Sequence, residues 1–209
     1  MRKSALIGIF LFFSSAHAYV DMEPKNITLS RDSSQVVLTN KGERTEYIEI
    51  SLSRLMNPGV DYEHEKRVPI QDIDSPSILV SPFKMMLKPG QSKPLQIKKL
   101  TALMHEEVYR LSVRPQLSVI QKELTQPRGG VALNISYEAI IRVLPATERK
   151  TFLVICTPGQ EVIRATGNQH YHFTNVELRR QQLEPFNVYP ETPWRFSGGP
   201  LMIDGKSYC

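Results

Sequence analysis

The sequence predicts an all-β protein, on three observations. Apolar and polar residues alternate along several short segments, which is the period of a half-buried strand. Turn residues separate these segments, and the chain holds fifteen Pro and eleven Gly in 209 residues. No window of about eleven residues or more carries the apolar stripe of a helix. Short strands with Pro and Gly turns between them are typical of an immunoglobulin-type β-sandwich.

The clearest alternation lies in residues 45–52. Ile48, Ile50 and Leu52 share one face of this segment, and Glu49 lies on the other. Because side chains of a strand point alternately to its two faces, this pattern predicts one buried and one solvated side. Further β-rich segments are residues 35–39, 77–80, 94–98 and 108–113, with turn signals at 40–42, 57–59, 88–90 and 128–130.

The longest predicted strand covers residues 131–144, more than twice the usual strand length. One face of its first half is an apolar comb, and its second half is apolar on both faces except for Glu138 and Arg142. An exposed strand edge with such a comb is an aggregation hazard, so a protein that keeps one is expected to pair it with another chain. The alternative is an ordinary core strand of the sandwich. The comb face carries Val131, Leu133, Ile135 and Tyr137.

The first eighteen residues predict export. Arg2 and Lys3 form a basic head, residues 5–13 are apolar, and Ala16 and Ala18 have the spacing that signal peptidase reads. We therefore expect a signal peptide that is cleaved after Ala18. The alternatives are a membrane anchor or a buried strand, but the apolar run is shorter than the roughly 20 residues that span a bilayer.

An exported chain meets an oxidising compartment, where its two cysteines can pair. We expect a disulfide between Cys156 and Cys209, with two unpaired thiols as the alternative. Residues 146–150 read as a linker, followed by shorter β-rich pieces at 151–156, 161–164 and 170–176. The predicted domains are thus residues 19–145 and a shorter one of residues 146–209.

No catalytic or metal-binding pattern is present in the sequence. It has no nucleophile elbow, phosphate loop, dinucleotide fingerprint or C-x-x-C. His170 and His172 share one strand face without a third ligand nearby, and Glu63 and Glu65 are expected in a solvated loop. We expect no enzyme, no metal and no cofactor. The net charge of +5 without a basic run indicates no nucleic acid partner, and no small-molecule substrate is expected.

Several segments, in order, resemble the periplasmic pilus-assembly chaperones, most closely the branch that serves the alternate, class 5 enterotoxigenic-type fimbriae. The resemblance covers about residues 19–146, and each segment alone is weak. The segments are Gln35-Val36-Val37-Leu38, Glu46-Tyr47-Ile48-Glu49-Ile50, Asn57-Pro58-Gly59, Ser81-Pro82, Leu87-Lys88-Pro89-Gly90-Gln91-Ser92, Glu106-Glu107-Val108-Tyr109-Arg110, Asn134-Ile135-Ser136-Tyr137 and Ile141-Arg142-Val143-Leu144-Pro145.

The resemblance implies two immunoglobulin-like domains set in an L, with a cleft between them. Chaperones of this family bind pilin subunits that lack their last strand, and they donate their own strand before the linker to the subunit. An outer-membrane usher then exchanges that strand for the next subunit's extension. The groove-filling residues fall on Val131, Leu133 and Ile135, with Tyr137 next in line.

The family also anchors the subunit's C-terminal carboxylate with basic residues in the cleft. The well-studied branch has a Lys five residues before the strand's closing Pro, where this sequence has Ile140. Arg142 lies on the same face two residues later, and an Arg there resembles the alternate branch. Arg142 is therefore the expected anchor, with a structural ion pair as its alternative role. The second anchor has no clear match, and Lys25 is the nearest basic residue.

The second module is shorter than the family usually has. The expected function is a periplasmic chaperone of fimbrial subunits, with the usher as a further partner and self-association through the donor strand. The alternative is a secreted immunoglobulin-like structural or adhesive module of a pilus. A pilin would lack its final strand and carry a comb in an N-terminal extension, whereas the comb here lies in mid-chain.

Overall fold

The computed structural model of the chain describes residues 20–116 and 135–209. Regular structure in these ranges consists of strands and two 3-10 helices, Tyr62–His64 and Ile70–Asp72. None of the helices in the described ranges is long and apolar enough to cross a bilayer. The first ten strands are β1 (Val20–Glu23), β2 (Asn26–Leu29), β3 (Ser33–Asn40), β4 (Glu46–Leu55), β5 (Arg67–Pro69), β6 (Ile78–Ser81), β7 (Lys84–Leu87), β8 (Ser92–Lys99), β9 (Glu107–Gln116) and β10 (Tyr137–Val143).

These ten strands form two sheets, which we call the first module. One sheet has the order β1-β3-β8-β6. The other has the order β2-β10-β9-β4-β5, with β7 also paired to β4. Strand β10 is antiparallel to β9 and parallel to β2, while the other pairs are antiparallel. The two sheets make a β-sandwich.

The alternation in the sequence explains the core of this sandwich. Ile48, Ile50 and Leu52 of β4 are buried, as are Leu95 and Ile97 of β8. Burying each aliphatic side chain contributes about 1.5–3 kcal/mol before conformational entropy is subtracted. Residues from both sheets, between Val20 and Val143, join in this one cluster.

The second module has three smaller sheets, with the orders β11-β12-β17, β13-β16 and β15-β14-β18-β19. A separate core fills it, rich in aromatic rings such as Phe152, Phe173 and Phe186. Its strands are β11 (Phe152–Thr157), β12 (Gln160–Ala165), β13 (Tyr171–Phe173), β14 (Val176–Leu178), β15 (Gln181–Gln182), β16 (Phe186–Val188), β17 (Trp194–Phe196), β18 (Leu201–Ile203) and β19 (Lys206–Tyr208).

A disulfide joins Cys156 of β11 to Cys209, which follows β19, with their Cα atoms 5.5 Å apart. The link ties the last strand of the chain to the edge of the β11-β12-β17 sheet. Because a small core stabilises little by itself, we expect this link to contribute substantially to the stability of the second module.

The predicted all-β fold class is confirmed, and the segments predicted at 35–39, 45–52, 77–80, 94–98 and 108–113 are strands β3, β4, β6, β8 and β9. The strand predicted at 131–144 is described from residue 135 onward, where β10 ends at Val143. The predicted signal peptide, residues 1–18, lies outside the described residues.

Candidate functional site

Strand β10 is the element around which the site is built. Ala139, Ile141 and Val143 point into the core of the first module and are buried. Tyr137, on the same face, is partly buried against that core. Ile135, one step further along this face, is 52% exposed. The apolar face of the strand thus leaves the module's own core between Tyr137 and Ile135.

The predicted comb residues Val131 and Leu133 lie outside the described residues. Ile135 is the exposed comb position in the described part of the chain. Tyr137 packs against the core, and burial raises the pKa of its hydroxyl. The structure therefore places Tyr137 at the boundary between the core and the exposed part of the comb.

The opposite face of β10 borders a cleft of about 250 Å³ between the two modules. From the first module, the apolar side chains of Leu55, Val108 and Ile140 line it. The second module contributes Phe186, Asn187 and Tyr189, and the charged lining residues are Glu65, Arg110 and Arg142. We call this space the inter-module cleft. Ile140 and Arg142 share it, as their spacing of two on a strand predicts.

Arg142 reaches across the cleft to the second module. Its Nε donates a hydrogen bond of 3.0 Å to the hydroxyl oxygen of Tyr189. Within residues 20–116 and 135–209, Arg142 makes no salt bridge. The alternative of a structural ion pair with an acid is thus not realised in this part of the chain. Its guanidinium keeps a positive charge in the cleft, which suits an anionic ligand.

The neighbouring cations of the same face are neutralised by carboxylates. Arg110 pairs with Glu65, and its Nε lies 3.5 Å from Glu138. Arg67 contacts Glu65 at 2.7 Å and Glu138 at 3.0 Å. Burial opposes the charge of Arg67, but hydrogen bonds to Glu138 and to Tyr62 raise its pKa above the usual range. Arg142 therefore differs from both in having no carboxylate of the described residues in contact.

The expectation that Glu65 is a solvated loop residue is wrong. Its side chain is only 4% exposed, because Arg67 and Arg110 enclose it. Glu63, two residues earlier, is exposed as expected. The sequence pattern cannot reveal this difference, since the partners of Glu65 come from β5 and β9.

A second set of contacts joins the modules beside the cleft. The Nδ1 of His170 lies 2.8 Å from both carboxylate oxygens of Glu106, and the His170 backbone N–H donates to the same group at 2.6 Å. The Asn168 side chain donates to the backbone oxygens of Met104 and Thr147. These contacts fix the second module against the segment just before β9 and against the linker.

The two histidines of the predicted strand face have different partners. His170 contacts Glu106, and the Nδ1 of His172 lies 2.7 Å from Oδ1 of Asn187. Throughout the described ranges, no group of three or more His, Cys, Asp or Glu side chains has the arrangement of a metal site.

Lys25 is exposed between β1 and β2. Its backbone oxygen accepts the N–H of Ile140, so it lies beside β10. Its side chain is not among those of the described residues that line the inter-module cleft. The anchoring role expected for Lys25 stays a prediction.

Sequence reasoning missed Tyr189, Glu106 and the partners of Arg110. Tyr189 lies in the Pro-rich stretch 185–193, which shows no periodicity. For Glu106, the sequence offers one local indication of its place in the fold: it lies just before the strand predicted at residues 108–113. Their neighbours come from distant parts of the chain, so only the folded structure brings them together.

Comparison with known proteins gives two relatives, both fimbrial subunits of Escherichia coli by name. The relative from CS1 fimbriae is 27% identical over 177 residues, which cover 80% of this chain and 71% of the relative. The relative from CFA/I fimbriae is 29% identical over 150 residues, which cover 68% of this chain and 60% of the relative. No family model matches the chain.

Solved structures share the fold. A chain of a chaperone–tip adhesin complex of CFA/I fimbriae biogenesis superposes with a TM-score of 0.69 at 21% identity, covering 89% of this chain and 98% of that one. The class 5 fimbriae chaperone CfaA gives a TM-score of 0.66 at 23% identity over 84% of each chain. The predicted resemblance is confirmed: this chain has the two-domain immunoglobulin-like fold of the fimbrial chaperones.

Proposed function

We propose that the chain is a chaperone that binds fimbrial subunits by donating the strand that leads into β10. The relatives are named as fimbrial proteins, and the solved structures of this fold include chaperones in complex with an adhesin or a pilin. The chain then acts by binding, not by catalysis.

One observation carries the proposal: the first module already contains its final strand, and the apolar face of that strand continues beyond the core. Strand β10 pairs with β9 on one side and β2 on the other. Ile135 lies two residues before the strand, in line with its apolar face by alternation, and is exposed. An apolar face that extends past its own module can fill the groove of a subunit that lacks a strand.

The proposed groove-binding residues are Val131, Leu133 and Ile135, with Tyr137 at the edge of the comb. Each aliphatic side chain contributes about 1.5–3 kcal/mol when it is fully buried. Three of them supply roughly 5–9 kcal/mol before the cost of ordering two chains. Such a complex is stable yet can be exchanged by a competing strand.

Arg142 is the proposed anchor for the subunit's C-terminal carboxylate. A guanidinium can donate two parallel hydrogen bonds to a carboxylate, and the cleft shields them from water. The carboxylate would fix the register of the subunit's last residues against β10. Lys25 is retained as a weaker candidate for the same role.

The remaining assignments follow from this function. The domains are residues 19–145 and 146–209, and the second range begins with the linker. The site of action is the periplasm, reached by a signal peptide that is cleaved after Ala18. The further partner is an outer-membrane usher, and pairing through the donor strand would allow two free copies to associate.

The alternative function is a structural component of a pilus. The names of the two relatives, which call them fimbrial subunits, favour it. A pilin module that lacks its last strand leaves a groove, whereas β10 occupies that position in the first module here. The chaperone function accounts for this strand better.

Co-purification tests the proposal. The tagged chain is expressed with the fimbrial subunit encoded beside it, and complexes are recovered from the periplasm. We expect the unmodified chain to retain the subunit, and the pair of changes Leu133→Glu and Ile135→Glu to abolish this, because a charge cannot enter an apolar groove.

The matched control is Ile155→Glu. This variant puts a glutamate at an exposed isoleucine of β11, in the second module and outside the comb. It should retain the subunit fully. If all three proteins fold and none retains a subunit, the comb is not a binding strand and the pilus component becomes the better explanation.

A further inference from the structure

We propose that the hydroxyl of Tyr189 is the second group that holds the subunit's C-terminal carboxylate, next to Arg142. The anchor would then be composite, with one residue from each module. This inference rests on the proposed function, since it concerns the same ligand. It assigns to the second module a direct role in binding.

The positions of the two side chains support a shared ligand. Both line the inter-module cleft, and Arg142 Nε donates to the Tyr189 oxygen at 3.0 Å. This bond uses one of the five N–H groups of the guanidinium. The two Nη atoms make no hydrogen bond to a described residue and remain available to a carboxylate beside Tyr189.

The Tyr189 hydroxyl retains a proton to donate. Burial raises the pKa of Tyr189, and the charge of Arg142 only partly opposes this. The group is therefore neutral at physiological pH. Among the described residues its oxygen accepts from Arg142, and the neighbouring Asn187 side chain also interacts with the hydroxyl and lowers its pKa. The Oδ1 of Asn187 contacts Nδ1 of His172 at 2.7 Å, so the O–H of Tyr189 is left to donate to a ligand. A carboxylate, which only accepts hydrogen bonds, complements both this O–H and the guanidinium.

Tyr189 is held rigidly enough to position a ligand. The residue is 4% exposed. A Cβ at Gly59, which has φ +90°, would lie 2.9 Å from its ring, so the turn approaches the ring as closely as only glycine permits. The centroid of the His170 ring lies 5.4 Å from that of the Tyr189 ring, and Glu106 holds that histidine.

The apolar lining of the inter-module cleft favours a peptide ligand, with apolar side chains before its terminal carboxylate, over a free anion. Leu55, Val108 and Ile140 pack against Tyr189 and form an apolar wall. A strand that runs along this wall with apolar side chains would present its terminal carboxylate to Arg142 and Tyr189. The carboxylate is the one group in such a strand that needs charged donors.

The test compares a peptide that matches the last strand of the neighbouring fimbrial subunit, as the free acid and as the C-terminal amide. Binding to the full mature chain is measured by titration calorimetry. We expect the unmodified chain to prefer the acid strongly, and Tyr189→Phe to reduce this preference at least about tenfold, as loss of a hydrogen bond to a charged group predicts.

Tyr171→Phe is the matched control, because it removes a hydroxyl from the same module while leaving Tyr189 and Arg142 in place. It should keep the full preference. If Tyr189→Phe also keeps it, or weakens acid and amide equally, the inference is wrong while the proposed function stands. If the unmodified chain binds both peptides equally, the carboxylate anchor itself is wrong.

A second variant separates direct binding from positioning. Arg142→Lys removes the Nε that contacts Tyr189 but keeps a positive charge. If Tyr189 donates directly, Tyr189→Phe still lowers the acid preference in the Arg142→Lys background. If it only orients Arg142, the second change has no further effect, and direct donation is contradicted.

Discussion

His170 of the second module and Glu106 of the first form a close polar contact between the modules, through both the imidazole ring and the backbone N–H of His170. The Glu106 side chain is 3% exposed and that of His170 is 16% exposed. Since His170 also lies against Tyr189, this pair connects the module interface with the cleft.

Glu106→Ala should loosen the second module from the first. The change leaves the backbone N–H of His170 without its acceptor, so we expect the free energy of unfolding to fall by about 2–3 kcal/mol. Urea unfolding followed by Trp194, the single tryptophan and a part of the second core, measures it. Glu106→Gln, which keeps an acceptor oxygen, should lose less, and an equal loss in both variants would argue against the contact.

The buried carboxylate of Glu65 supports the face of the cleft. Glu65→Ala should destabilise the chain by about 3 kcal/mol, because Arg67 and Arg110 then share only Glu138. Glu63→Ala is the matched control at an exposed position and should change stability by less than about 0.5 kcal/mol. Equal effects in the two variants, measured by chemical unfolding, would contradict the network.

Alkaline pH should destabilise the first module through Tyr109. Burial raises the pKa of this tyrosine to about 12, and its hydroxyl bonds with Ser77 and Glu107. In the unfolded chain it ionises near pH 10, so between about pH 10 and 12 the unfolded state releases its proton first. The free energy of unfolding then falls by about 1.4 kcal/mol per pH unit from this group.

Unfolding of the chain and of Tyr109→Phe, compared at pH 8, 10 and 11, isolates this contribution from the lysines. At pH 8 the unmodified chain should be the more stable, because it keeps the hydroxyl contacts. Its advantage should shrink steadily above pH 10. A constant difference across this range would show that Tyr109 does not titrate as its burial predicts.

Reduction of the disulfide should weaken the second module selectively. The Cys156–Cys209 link spans a sequence separation of 53 residues. In the chain-entropy model, its loss should lower the free energy of unfolding by about 4 kcal/mol. The pair of changes Cys156→Ser and Cys209→Ser should therefore lower the Tm reported by Trp194. An unchanged Tm, with and without reductant, would mean that the terminal strand is held by other contacts.

Strand positions are largely predictable from the sequence, because alternation along a strand reflects burial directly. Ile48, Ile50 and Leu52 of β4 are an example, since their neighbours in sequence face water. The four-residue strands β1 and β2 escape this kind of prediction because such short segments barely show a period, although the equally short β6 is predicted. The resemblance places Arg142 at a cleft, where it lies in the structure.

The partners of the site residues are harder to predict. Tyr189 meets Arg142 across 47 positions of sequence, and Glu65 meets Arg110 across 45. Such pairs depend on how sheets and modules pack, and neither residue carries a local pattern that marks it. The sequence pattern assigns Glu65 to solvent for this reason, since a polar loop gives no sign that two arginines from β5 and β9 will enclose it.

Hydrogen exchange on the purified complex tests the central claim, strand donation, most directly. We expect backbone amides of residues 131–136 to exchange at least about tenfold more slowly when a fimbrial subunit is bound, because they join its sheet, and Ile135→Glu to remove this effect. Binding of the subunit that leaves exchange in 131–136 unchanged, while slowing it elsewhere in the chain, would contradict strand donation.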